Sequence, residues 1–66
     1  MDPNANLQAQ ERLLRHDRRL TSDDRAWLHD LRGDLRGWLA GGGFAPDWAA
    51  CPLAAVYFGH GPQVQS

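Results

Sequence analysis

Residues 21–40 read TSDDRAWLHDLRGDLRGWLA, and this stretch decides the fold. Thr21 and Ser22 offer hydroxyls that can cap a helix, and Asp23 and Asp24 follow in its first turn, against the positive end of the helix dipole. Trp27, Leu28, Leu31, Leu35, Trp38 and Leu39 then recur at i, i+1, i+4, i+8, i+11 and i+12. At about 100° per residue these side chains gather on one side of a helix. The spacing therefore predicts a helix over 23–40 whose Trp/Leu face, Trp27 and Trp38 included, is hidden from water. Gly41, Gly42 and Gly43 end it, because glycine enters the left-handed conformation of a helix terminus without a Cβ penalty.

Working toward the N-terminus, Asp2-Pro3 has the form of an N-cap followed by proline at the first helical position. No Gly or Pro interrupts the chain from there to Leu20, which predicts a first helix over 3–20. Leu7 and Leu14, and likewise Leu13 and Leu20, are seven residues apart and mark its apolar stripe. Arg12, Arg15 and Arg19 fall on the other side.

Toward the C-terminus, Phe44-Ala45-Pro46-Asp47-Trp48 reads as a loop carrying two aromatics. A short third helix is expected within 47–58, capped by Asp47 or Cys51, with Pro52 in its first turn. Leu53, Ala54, Val56, Tyr57 and Phe58 supply its apolar surface. A strand at 56–58 is the competing reading, though no partner strand is evident. Gly59 and Gly61-Pro62 stop the element, and residues 60–66 read as a frayed tail. The expected fold class is thus all-α: a small helical mini-domain, an αα-hairpin closed by an aromatic loop and a short third helix.

Composition supports this reading. β-branched residues are limited to Thr21, Val56 and Val64, whereas strands favour such side chains. At 66 residues one domain is the upper bound, and so small a core leaves stability marginal or borrowed from a partner. All seven basic residues are arginine, set against eight acids for a net charge of −1. With abundant Ala and Gly, this matches the coding bias of GC-rich bacterial or phage genomes. No apolar run approaches a membrane span, and no signal peptide is visible, so a cytoplasmic location is expected.

The chemistry-bearing residues are few. His16, His29, His60 and Cys51 show none of the close pairing that structural metal sites use, so neither metal nor other cofactor is expected. Cys51 lies between Ala50 and Pro52, an apolar setting in which cysteine behaves as a small hydrophobe. His60 is the one base near it in sequence. The Gly41–Gly43 run follows a helix and so cannot cradle a phosphate at a helix N-terminus. A chain this short could hardly enclose a substrate pocket, and catalysis is not expected.

Three binding readings remain. Phe44, Trp48, Tyr57 and Phe58 are many aromatics for a small core. With Arg32 and Arg36 at the rim they form the candidate surface for docking on a larger protein, as an adaptor, inhibitor or accessory subunit. The competing reading folds these aromatics back as a lid on the hairpin. Ala26, Gly33, Gly37 and Ala40 share the reverse side of the second helix, where a second copy could approach closely to form a homodimer. Equally, isolated glycines are tolerated in helices and the flanking charges can be a solvated face. Arg12, Arg15 and Arg19 give the alternative function, a nucleic-acid-binding regulator, for which a basic face is the footprint. Against it stand an overall negative charge and intrahelical pairing such as Glu11–Arg15, which would make these arginines an ordinary solvated face.

Overall fold

A computed structural model describes residues 1–59, the side chain of Asp17 excepted, and statements of absence below refer to these. The fold is all-α. Helix α1 spans Pro3–Leu14, α2 spans Ser22–Ala40 and α3 spans Pro52–Phe58, with 3₁₀ turns at Asp17–Arg19 and Trp48–Ala50. The expected tail over 60–66 lies outside the described residues. The competing strand is absent, since 56–58 form the last turn of α3.

Both long helices start where side-chain chemistry tells them to. The Asp2 carboxylate accepts from the Asn4 and Ala5 amides at 3.0 and 3.3 Å, with Pro3 in the first turn. Thr21 and Asp24 close a reciprocal capping box at the head of α2. The Asp24 amide donates to Thr21 Oγ1 at 3.0 Å, and the Thr21 amide donates to Asp24 Oδ2 at 3.2 Å. Such a box satisfies two of the orphan donors at a helix start.

The first helix is shorter than the sequence predicts. It stops at Leu14 rather than Leu20, and a 3₁₀ turn replaces its last turns. Arg15, His16, Arg18 and Arg19 are exposed, so tertiary packing does not hold a helix together there. Like charges three and four residues apart oppose it further.

Its inner face also differs from expectation. Pro3, Asn6, Leu7, Gln10 and Glu11 are buried, while Leu13 and Leu14 are half-buried. The period is helical, but most of the buried residues are polar, and each of these three makes a hydrogen bond, while Gln10 Oε1 has no partner among the described residues. Asn6 Nδ2 donates to the Leu31 carbonyl of α2 at 3.0 Å, and Gln10 Nε2 donates to Asn6 Oδ1 at 2.6 Å. Glu11 Oε1 accepts from the Ala54 amide of α3 at 2.9 Å.

On α2, Leu28 and Leu35 are buried, but Trp27 is 52% exposed, which corrects the expectation of a wholly hidden Trp/Leu face. At about 100° per residue both tryptophans sit at the edge of the stripe, roughly 80–100° from Leu28. Trp38 is covered because the chain returns over it. Its indole N–H donates to the Phe44 carbonyl at 2.9 Å, and the Phe44 ring meets it edge-on at 5.7 Å. No segment returns over Trp27.

The return itself depends on glycine. The Gly42 amide bonds the Leu39 carbonyl at 3.1 Å, and the Gly43 amide bonds that of Trp38 at 2.9 Å. Gly42 takes φ +90°, and a Cβ at Gly43 would run into the Trp38 indole. The core lies where the three helices meet. Leu7, Leu35, Cys51 and Ala54 form its centre, with Leu14, Trp38, Leu39, Trp48 and Phe58 packed around them.

Candidate protein-docking surface

Helix α3 presents its small residues inward. Ala54 and Ala55 are buried, whereas Leu53 and Val56 are 46% and 60% exposed. The sequence reading assigns Leu53, Ala54 and Val56 alike to the apolar surface of the third helix, and the structure divides them. Alanine allows α3 to approach α1 closely, and the Glu11–Ala54 hydrogen bond fixes that approach at the N-terminal turn. Leu53, Val56 and Tyr57 are then left together on the outward arc, at i, i+3 and i+4.

Two arginines of α2 border this arc. Arg32 lies over the Tyr57 ring with its guanidinium carbon 5.3 Å from the centroid, and Arg36 lies 5.8 Å over the Phe58 ring. They are four residues apart, hence on one side of α2 one turn apart. Placement over an aromatic face is favourable for a guanidinium and restricts its rotamers. Arg32 is half-buried, and its Nε is shielded from water with no acceptor among the described residues. Neither arginine makes an ion pair there; Arg15–Glu11 at 3.3 Å is the ion pair among the described residues.

The other expected docking residues behave differently from one another. Phe44 is 62% exposed, held by its edge contact with Trp38. Trp48 and Phe58 are half-buried against the core, their rings 5.2 Å apart and tilted by 36°. They support the surface from beneath. Leu53, Val56, Trp27 and Met1 are exposed large apolar side chains that the sequence reading leaves unassigned to the surface. For α3 the wheel position opposite Ala54 and Ala55 would have revealed the first two.

Ala26, Gly33, Gly37 and Ala40 are exposed, and a Cβ at Gly33 or Gly37 would meet nothing within 4 Å. Arg12, Arg15 and Arg19 are exposed at the end of α1 and in the following turn. Cys51 is a buried free thiol. Burial pushes its pKa up, the carboxylates of Glu11 and Asp47 add to the rise, and Arg15 partly opposes it. A thiol nucleophile requires the reverse. His60, the base near it in sequence, lies outside the described residues. Among the described residues no three metal-ligating side chains gather, and no helix is long and apolar enough to cross a membrane.

No family model, curated protein or solved structure matches the chain.

Proposed function

We propose that this chain is a small protein-interaction module, working in the cytoplasm as an adaptor, inhibitor or accessory subunit. It docks on a segment of a larger protein that carries carboxylates beside apolar anchors. The observation that supports this is the pair Arg32 and Arg36, each set over an aromatic ring and neither in an ion pair among the described residues. A guanidinium already restricted by a ring loses less freedom on gripping a carboxylate than a free side chain would. Leu53, Val56 and Tyr57 beside them provide the apolar contact, and Phe44 extends the exposed aromatic surface. Charge complementarity sets orientation and association rate, while the apolar residues supply the buried anchor. The Ala26, Gly33, Gly37 and Ala40 face offers only small side chains, and we assign it no role in the docking.

Selection of a random peptide display library on the immobilised chain tests this. Enriched peptides should combine Asp or Glu with Leu, Ile or Phe, and Arg32→Glu/Arg36→Glu should abolish their binding with helicity preserved. Enrichment of basic peptides, or retention of the same peptides by the double variant, would overturn the reading.

A further inference from the structure

The turn joining α1 to α2 holds an arrangement that the docking surface does not use. Four of the seven arginines fall within residues 12–19. Because α1 ends at Leu14, the side chains beyond it no longer spread around one helical cylinder. Arg15, His16, Arg18 and Arg19 instead surround a hollow of about 400 Å³. A second hollow of about 440 Å³ shares Arg15 with the first and is lined also by Gln8, Glu11, Arg12, Ala50 and Cys51.

Among the described side chains of these linings Glu11 is the carboxylate, and both its oxygens are engaged, Oε1 by the Ala54 amide and Oε2 by Arg15 Nε. Arg12, Arg18 and Arg19 make no ion pair among the described side chains, which do not include that of Asp17. Residues 11–19 set four arginines against the two acids Glu11 and Asp17, a local surplus of two positive charges in a chain of net charge −1. The basic charge is therefore concentrated at one turn.

We infer that this turn binds the phosphate backbone of a nucleic-acid duplex without regard to base sequence. Guanidinium forks match phosphate oxygens in geometry as well as charge. Two hollows joined through one arginine suit successive phosphates of a chain better than a single phosphate group. No aromatic lines either hollow, so there is no platform for unstacked bases, which favours a duplex over a single strand. Contacts of this kind position a protein on nucleic acid and carry no direct readout of bases. The site shares no residue with the Arg32–Tyr57 surface, so either can be present without the other.

The test is fluorescence anisotropy of a labelled mixed-sequence DNA duplex of ~20 base pairs, titrated with the full chain at salt concentrations from about 20 to 200 mM. Affinity should fall with salt, log K against log salt having a slope of about −3 to −4 if four arginines engage phosphates. Arg18→Ala/Arg19→Ala should weaken binding at the lowest salt by about tenfold and remove about two from the slope. Arg18→Lys/Arg19→Lys, which keeps the charge, should stay within about threefold of the parent. Should the alanine variant lose helical circular dichroism, amide shifts of the parent chain on duplex titration decide the matter. Shifts centred on residues 12–19 support the site, and shifts confined elsewhere overturn it. Absence of binding at the lowest salt would also overturn it, as would undiminished binding by a folded alanine variant. A preference for single strands, or equal binding to phosphatidylglycerol vesicles, would overturn the assignment to a duplex.

Discussion

The carboxylate of Glu11 in α1 accepts a hydrogen bond from the backbone amide of Ala54 in α3, at 2.9 Å and across 43 residues of sequence. Helix α3 has no side-chain cap of its own, since neither Cys51 nor Asp47 bonds a free amide of the helix start. Glu11 supplies that cap from another element, and its negative charge sits at the positive end of the short helix. Its second oxygen holds Arg15 at 3.3 Å, so one side chain links α1, α3 and the basic turn.

Glu11→Ala should therefore destabilise the chain by about 1–3 kcal/mol, through a lost cap and a buried amide left without an acceptor. Urea denaturation followed by circular dichroism measures this. A change below about 0.5 kcal/mol, the range of ordinary surface substitutions, would show that the bond contributes little.

Glycines of α2 and its exit should respond in opposite directions. Gly33→Ala and Gly37→Ala place a methyl in open space on a helix, and each should stabilise by about 0.5–1 kcal/mol. Gly43→Ala drives a methyl against the Trp38 indole and should cost about 1–3 kcal/mol as ring and loop shift apart. Thermal melts of the three variants would check this ordering.

Trp48→Ala should lower stability by about 2–4 kcal/mol, because the indole packs on the core and on Phe58 at 5.2 Å. It is therefore a poor probe of docking. Leu53→Asp and Val56→Asp act on exposed positions and should leave the melting temperature within a few degrees of the parent. Their effect on binding of selected acidic peptides then reports on the surface alone.

Cys51 predicts a pH dependence. Its pKa is raised in the folded chain above the ordinary value of 9.0, chiefly by burial. Below that value both states keep the thiol proton and stability is unaffected. As pH rises through it the unfolded chain loses the proton while the folded chain retains it, so stability declines. Cys51→Ala should flatten this decline in denaturation midpoints taken at rising pH. The folded thiol should also alkylate more slowly at neutral pH than an unstructured cysteine.

Local signals in the sequence placed the starts of the two long helices and the end of α2, because capping and turn chemistry act over three or four residues, whereas the end of α1 at Leu14 and the cap of α3 were not legible there. Asp2 caps α1, Thr21 and Asp24 box the start of α2, and Gly42 with Gly43 turns the chain at its end. The same local signals could not say which side chains end up inside. Asn6 is buried because a carbonyl 25 residues away accepts from it, and Glu11 because an amide 43 residues away needs it. Trp27 and Trp38 occupy equivalent edges of one helix face, yet only Trp38 is covered by returning chain. The candidate docking surface has the same origin, because Arg32 and Arg36 gain their ring partners only once α3 has packed. Capping is a property of neighbouring residues, whereas burial and pairing depend on what the folded chain brings alongside, which only the tertiary structure decided.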